Sequence, residues 1–369
     1  MSQVGEQFIM QMQPWFGEEE KTSIASYLEE NGFMTEFKRT TEFENMIAEY
    51  TGAKHCIVVN NGTISLTLAA LALEIGNGDE VIVPNYTMVA TPNSVKMIGA
   101  IPVFVDVEAE TLCLDIELAK NAITSKTKAI MLVSANGRYP KSTVQAFVKL
   151  CKEHKIALIE DSAQSLGSID ASGGHVGTFG DIGSFSFSAP KIISTGQGGC
   201  LVTNSDDFAF KLRRLKDFGR ATGGNDIHDW VGYNFKFTEL QACLGVAQMK
   251  KLKSRVVRKK EIAQLYEKNL KGINGIELFK HDYKLTAPWF IDSLCEDRAE
   301  LQNYLKSKNI GTRIMYPPIN KQKAYGVEGD HPISNLIGEK GLWLPSATQL
   351  TNEEIKYITT HISLFYKQG

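Results

Sequence analysis

Residues 159–201 gather side chains that could do chemistry together. Two carboxylates, Glu160 and Asp161, end an apolar run at 156–159. Hydroxyls then alternate with rings in Ser184-Phe185-Ser186-Phe187-Ser188, Lys191 follows, and Gly196-Gln197-Gly198-Gly199 closes the stretch. A lysine amine condenses with an aldehyde, hydroxyls bind phosphate, and a carboxylate keeps a pyridine nitrogen protonated so that the ring accepts electrons. That set matches the needs of pyridoxal phosphate. Singly, each residue has an ordinary role: the aspartate as a helix cap, the lysine as a solvated charge, the serines as the outer face of a half-buried strand. Only their joint occurrence points to chemistry.

A second signal lies upstream in Asn60-Asn61-Gly62-Thr63, between a β-branched run and an Ala/Leu-rich segment. Glycine permits close backbone approach, a helix start offers free N–H groups, and Thr63 adds a hydroxyl, so the stretch can cup a phosphate. Gly-Thr is equally an ordinary helix start.

The elements that must position these residues follow from periodicity. Strand-like runs at 56–59, 80–83, 102–105, 129–133 and 156–159 alternate with helical stretches at 63–73, 88–98, 114–122 and 142–154. This alternation implies right-handed βαβ units and a largely parallel sheet covered on both faces. Helices are also expected over 16–32 and 41–50, with Gly52 as a stop, then over 206–216 and from 238 to about 270. Beyond these, the pattern predicts a strand at 288–291, a helix at 297–307 and a last helix from 352. Ligands of such a sheet sit at the carboxyl ends of its strands, where the loops starting at Asn60, Pro84, Ser134, Asp161 and Ser188 lie. The length of 369 residues favours two units. We divide the chain into a large domain (1–245) and a smaller C-terminal α+β domain (246–369).

Composition narrows the function classes. A net charge of −2 argues against general nucleic-acid affinity. The basic run at 250–260 falls inside a helical pattern and reads as a solvated face. No apolar run approaches a membrane span, and residues 1–16 lack the basic start and apolar core of a signal peptide, so a cytoplasmic protein is expected. The six cysteines form no CxxC pair, which suggests free thiols, and the histidines show no ligand spacing, so no metal site is expected.

The ordered blocks resemble the DegT/DnrJ/EryC1/StrS family of pyridoxal phosphate-dependent nucleotide-sugar aminotransferases, a branch of the fold-type-I (aspartate aminotransferase-like) enzymes. The matching blocks are Pro14-Trp15-Phe16-Gly17-Glu18-Glu19-Glu20, Glu42-Phe43-Glu44, Asn61-Gly62-Thr63, Gly78-Asp79-Glu80-Val81-Ile82-Val83-Pro84, Glu160-Asp161-Ser162-Ala163-Gln164 and Ser184 to Gly199. Gly232-Tyr233-Asn234-Phe235-Lys236, Gly311-Thr312-Arg313 and Tyr316-Pro317-Pro318 follow. The resemblance implies that Lys191 carries the cofactor and moves protons, that Asp161 pairs with the pyridinium nitrogen, and that Gln164 meets the ring hydroxyl. It further implies that Gly62, Thr63 and Ser186 hold the phosphate, joined by Asn234 from the other subunit of a homodimer with shared sites. Two departures stand out. Met88 replaces the usual aromatic residue on the cofactor face, with Tyr86 as an alternative. Ser134-Ala135-Asn136-Gly137 replaces a His-Leu-Tyr-Gly loop, followed by Arg138, which either meets a substrate phosphate or lies exposed. Tyr86, Arg313 and Tyr316 are candidate substrate contacts.

The resemblance implies transfer of an amine from L-glutamate to C4 of a nucleotide-linked 4-keto-6-deoxyhexose, on overall likeness to perosamine- and viosamine-forming members. Amination at C3 is the nearest alternative. A sugar 3-dehydratase on the same fold carries histidine where Lys191 stands. A non-catalytic nucleotide-sugar-binding protein predicts erosion at Asp161, Gln164, Ser186 or Lys191, and all four are present.

Overall fold

In a computed structural model that describes residues 4–220 and 226–367, the alternating apolar runs become a seven-stranded sheet. Helices α1 (Glu18–Glu29) and α2 (Lys38–Thr51) precede β1 (His55–Val59), and Gly52 ends α2 with a left-handed φ of 77°. There follow α3 (Gly62–Ala72), β2 (Glu80–Pro84), α4 (Ala90–Lys96), β3 (Ile101–Val105), α5 (Ile116–Asn121) and β4 (Thr127–Val133). The sheet is completed by α6 (Val144–His154), β5 (Ala157–Asp161), β6 (Ile182–Ser186) and β7 (Gly199–Thr203), after which comes α7 (Asp206–Lys216). Strand order is β1-β7-β6-β5-β4-β2-β3, parallel throughout except for β7, which runs against both neighbours. This mostly parallel mixed sheet flanked by helices is the fold-type-I arrangement.

Period-two alternation decides which residues enter which core. Val81, Val83, Ala129, Met131 and Ile159 face one layer with α3, whereas Ile82, Ile130, Leu132 and Leu158 face the other with α6. The inner strands are covered on both faces, which explains their near-continuous apolar runs.

A long helix, α8 (Glu239–Leu270), leads to a second, four-stranded sheet of β8 (Ile276–Leu278), β9 (Ile291–Cys295), β10 (Arg313–Ile314) and β11 (Gly341–Leu344), in the order β10-β11-β9-β8. Helices α9 (Arg298–Ser307), α10 (Pro332–Lys340) and α11 (Asn352–Lys367) complete this part. Val246, Leu252 and Val256 of α8 pack with the large sheet, while Ile262, Tyr266 and Leu270 pack with the small one. One helix thus serves both cores. Among the described residues, no helix is long and apolar enough to cross a membrane.

Three expectations need correction. The strand expected at 288–291 begins instead at Ile291, because the preceding backbone is bound elsewhere: Phe290 N–H donates to Asn136 Oδ1 at 2.5 Å and Trp289 N–H to Asn136 O at 3.4 Å. The basic run at 250–260 is not a wholly solvated face. Arg255 and Lys259 are buried on the inner side of α8, where they donate to backbone carbonyls. Arg138 neither meets a phosphate nor lies exposed. It is buried in an ion pair with Asp292, donates to Thr111 O at 3.1 Å and contacts His281.

The Arg138–Asp292 pair joins the loop after β4 to β9 and yields a direct expectation for stability. Removing one partner strands a charge in a dry site, whereas replacing both with apolar groups removes the penalty. Arg138→Met should lower stability by about 3 kcal/mol, and Arg138→Met/Asp292→Leu should recover most of that loss. Urea unfolding of both variants checks this; a double variant no more stable than the single one contradicts it.

Candidate active site

Parallel strands bring their carboxyl ends to one edge of the large sheet, and the register fixes what meets there. Val133, Asp161 and Ser184 share one row, while Ser186 and Gly199 are opposite each other and Gly199 is opposite Val59. Over this edge lies a cavity of about 570 Å³. Gly62, Thr63, Met88, Asp161, Gln164, Ser186 and Lys191 all line it, although they come from four separate segments.

The two adjacent carboxylates have opposite fates because strand side chains alternate. Glu160 turns away from the cavity and accepts from the N–H groups of Gly177, Phe179 and Gly180, each at 2.7 Å, so it closes the loop before β6. Burial pushes its carboxyl up to about 7, against those bonds. Asp161 faces the cavity. Thr91 Oγ1 donates to Asp161 Oδ2 at 2.7 Å and Ala163 N–H donates to Oδ1 at 3.3 Å. Burial raises the Asp161 pKa, while these bonds and the Lys191 charge oppose the rise.

Lys191 is half-buried in the cavity wall. Burial lowers its amine to about 8, the Asp161 charge pulls the value back up, and the Arg313 charge lowers it further. Its Nζ lies 4.1 Å from the centre of the Trp289 ring. The segment after it is clamped from α8: Arg255 donates to Ile192 O at 3.0 Å, and Ser194 N–H donates to Gln248 Oε1 at 3.2 Å.

The opposite wall is the start of α3. Asn61 caps the helix by accepting from Ile64 N–H at 2.9 Å, and the N–H groups of Gly62 and Thr63 have no partner within the helix. A Cβ at Gly62 would meet Ser186 Cβ at 2.9 Å, so glycine is what allows the helix start to approach the β6 hydroxyl. A Cβ at Gly199 would strike the Asn61 carbonyl carbon at 2.6 Å, which sets the same limit from β7. Free N–H groups, a helix N-terminus and hydroxyls make an anion cradle. This cradle, a buried carboxylate and a buried amine fit the phosphate, ring nitrogen and aldehyde of pyridoxal phosphate.

The remaining expected residues lie around the rim or apart. Gln164 Oε1 accepts from Asn136 N–H at 2.6 Å, which leaves its amide N–H groups to donate elsewhere. Met88 is exposed to the cavity. Tyr86 is buried beside Tyr316 in an aromatic cluster with Trp343, outside the cavity lining. Arg313 is exposed on β10, over the Trp343 ring. Asn234 is exposed and bridges to Asp217, away from the cavity. Among the described residues, no cluster of His, Cys, Asp or Glu is placed to hold a metal ion.

Sequence reading missed Thr91, Asn136, Trp289 and Lys259. Thr91 falls in a helical stretch and Trp289 in an expected strand, and neither has a local signal of its role. The left-handed φ of 52° at Asn136 was hinted at by the Asn-Gly pair, a common turn signal.

The chain is similar to known proteins over nearly its whole length. The model of the DegT/DnrJ/EryC1/StrS aminotransferase family matches residues 15–363. The chain is 37% identical over 363 residues to the GDP-perosamine synthase of Escherichia coli O157:H7, covering 97% of this chain and 99% of that one. It is 36% identical to the GDP-perosamine synthase of Vibrio cholerae, covering 89% and 91%. Among solved structures, the PLP form of the putative sugar aminotransferase Spr1654 from Streptococcus pneumoniae superposes with a TM-score of 0.90 at 26% identity, covering 97% and 98%.

The buried amine gives a prediction that needs no substrate. Only the uncharged amine attacks an aldehyde, and burial lowers the Lys191 pKa, so its reactivity should appear at lower pH than that of surface lysines. Formaldehyde with borohydride, followed by peptide mass spectrometry, should label Lys191 with half-maximal rate near pH 8, the value to which burial brings it. A midpoint near the ordinary lysine value of 10.5 would contradict the assignment.

Proposed function

The chain belongs to the DegT/DnrJ/EryC1/StrS aminotransferase family, and we propose that it transfers an amine from L-glutamate to C4 of a nucleotide-linked 4-keto-6-deoxyhexose. It is a pyridoxal phosphate-dependent aminotransferase; the donor, the sugar and the position of amination are our reading. The observation that carries the reading is the single cavity holding Lys191, Asp161 and the α3–β6 anion cradle, in a chain whose relatives include perosamine synthases. The Lys191 position also favours transamination over dehydration, since dehydratases of this fold carry histidine there.

Pyridoxal phosphate, when bound, supplies an exchangeable aldehyde carbon and a ring that takes up electrons. The protein's residues supply the rest. The Gly62 and Thr63 N–H groups and the Thr63 and Ser186 hydroxyls hold the phosphate, with charge-assisted hydrogen bonds worth roughly 1.5–3 kcal/mol each. The Asp161 carboxylate would hold a proton on the ring nitrogen, and the Thr91 hydroxyl and Ala163 N–H oppose the rise in its pKa that burial imposes. Gln164, its oxygen engaged by Asn136, turns its amide N–H toward the ring hydroxyl. Met88, which lines the cavity from the loop after β2, would pack against the ring face. Lys191 binds the cofactor, takes the proton from the donor's carbon and returns one to the other side of the exchange. An amine that loses its proton near pH 8 suits both directions of that transfer.

The site is completed by a second copy of the chain. Asn234 stands outside its own cavity, beside the exposed apolar side chains of Trp230, Val231 and Tyr233, which would be covered in a dimer. In that arrangement Asn234 reaches the partner's phosphate cradle, while Arg313 and Tyr316 form the substrate side and Tyr86, buried behind Tyr316, does not reach it. A cytoplasmic location accords with the nucleotide-sugar substrate.

Three expected outcomes test the reading. With glutamate and a panel of nucleotide-linked 4-keto-6-deoxyhexoses, NMR of the product should place the new nitrogen on C4; nitrogen on C3 would refute that choice. Asp161→Asn, with cofactor occupancy checked, should lower kcat by about a hundredfold, because an amide cannot keep the ring nitrogen protonated. In hybrids of Lys191→Ala and Asn234→Asp chains, isolated with two affinity tags, one site collects both lesions and the other none. About half the wild-type activity per dimer should therefore return. Hybrids as inactive as their parents would contradict a shared site.

A further inference from the structure

Lys259 is an oddity of the fold. It lies in the middle of α8 with its ammonium wholly buried, and among the described residues no carboxylate pairs with it. Its Nζ donates instead to two backbone carbonyls, Trp289 O at 2.6 Å and Ser346 O at 2.5 Å. An uncompensated buried ammonium is costly, and burial lowers this one to about 7. Merely joining α8 to the small sheet would not require a charge, since Tyr266 makes such a link by donating to Pro345 O at 2.9 Å.

The carbonyl that Lys259 holds belongs to the residue facing Lys191. The Trp289 indole N–H donates to Pro190 O at 2.7 Å, one residue before the lysine, and the ring stacks on Phe290 with centroids 3.7 Å apart. Trp343 meets it edge-on at 5.7 Å. The indole is therefore fixed in position and orientation, with its face 4.1 Å from Lys191 Nζ. A fixed aromatic face attracts a desolvated ammonium. The charged groups around Lys191 are Asp161 from β5 and Arg313 from β10.

We propose that Trp289 is a positioning residue for Lys191, that its indole face receives the lysine amine whenever that amine is free, and that Lys259 holds the indole in place. Lysine must leave the cofactor and return protons during each amine exchange. A docking face confines its swing to the cavity wall, so the residue matters to turnover rather than to substrate affinity. This inference rests on Lys191 being the lysine that carries the cofactor.

Tryptophan emission of the full-length, cofactor-free enzyme should step as Lys191 loses its proton near pH 8, and the step should vanish in Lys191→Met and in Trp289→Phe. In Lys259→Met, with circular dichroism unchanged, less than about half the step should remain. In the holoenzyme, Trp289→Leu and Lys259→Met should each lower kcat about tenfold with KM within about twofold, and the double variant should be no slower than Trp289→Leu. Trp289→Phe keeps an aromatic face and should retain at least about a third of kcat. Flat wild-type emission, or full kcat in Trp289→Leu, overturns the proposal, and multiplicative losses overturn the part assigned to Lys259. If Lys259→Met does not fold, the emission step and the Leu–Phe comparison at 289 still decide the role of Trp289. A cofactor attached to a residue other than Lys191 would instead overturn the functional reading beneath it.

Discussion

Two opposite charges buried in one cavity are the constraint on which the rest of the site depends. The carboxylate of Asp161 and the amine of Lys191 are each destabilised by burial, and each lessens the penalty on the other. Mutual attraction alone does not stabilise a buried pair; the remaining hydrogen-bonding capacity must also be met. Thr91 and Ala163 do this for the carboxylate, and the amine instead faces the Trp289 ring, 4.1 Å from its centre. An aspartate beside an amine whose pKa is lowered to about 8 is suited to hold one proton on a ring while the amine moves another. The cost of that arrangement falls on the surrounding scaffold.

Much of the scaffold is one face of α8. Gln241, Gln248, Arg255, Lys259 and Tyr266 recur at intervals of seven, seven, four and seven residues, which places them along a single stripe. Gln241 donates to Gln197 O at 2.6 Å on the cavity rim. Gln248 and Arg255 bind the segment after Lys191 and also reach Trp15 O, at 3.0 and 2.7 Å. Lys259 and Tyr266 bind the backbone next to the small sheet. The stripe thus ties the lysine loop, the N-terminal segment and the second sheet to one rigid helix. Carbonyls dominate its acceptors, and backbone carbonyls move less than side chains. The other long-range fastening, Asn136 with Arg138 and Asp292, holds the same junction from the β4 side.

How much of this was legible in the sequence depends on the range of the interaction. Lys191, Asp161, Ser186, Gly62 and Thr63 could be singled out because strand ends, glycines and helix starts have local signatures, and the sheet edge then gathers them. Helix α7 was readable to the residue, since Ser205 caps it and basic side chains close it. Trp289 and Lys259 were not readable. A tryptophan near an apolar run looks like core, and a lysine within Arg258-Lys259-Lys260 looks like solvated surface; only the crossing of α8 with the 287–290 segment shows that one holds the other. Arg138 failed for the same reason, because its partner Asp292 lies 154 positions away. The short strands β8, β10 and β11 carried too few residues to establish a period. Where two cores share one helix, its apolar face changes direction along the chain, and the polar stripe between them has no local periodic signature of burial.

The central claim is that Lys191 is the amine the cavity is built around, and Lys259, also buried and also depressed in pKa, is the natural competitor. Its ammonium is enclosed by carbonyls of the backbone instead of facing the cradle. The direct test is to load the purified chain with pyridoxal phosphate, reduce it with borohydride, digest it and locate the retained pyridoxyl group by mass spectrometry. A label confined to Lys191 is the predicted result; a label on Lys259, or spread over surface lysines with Lys191 unmodified, would contradict the account.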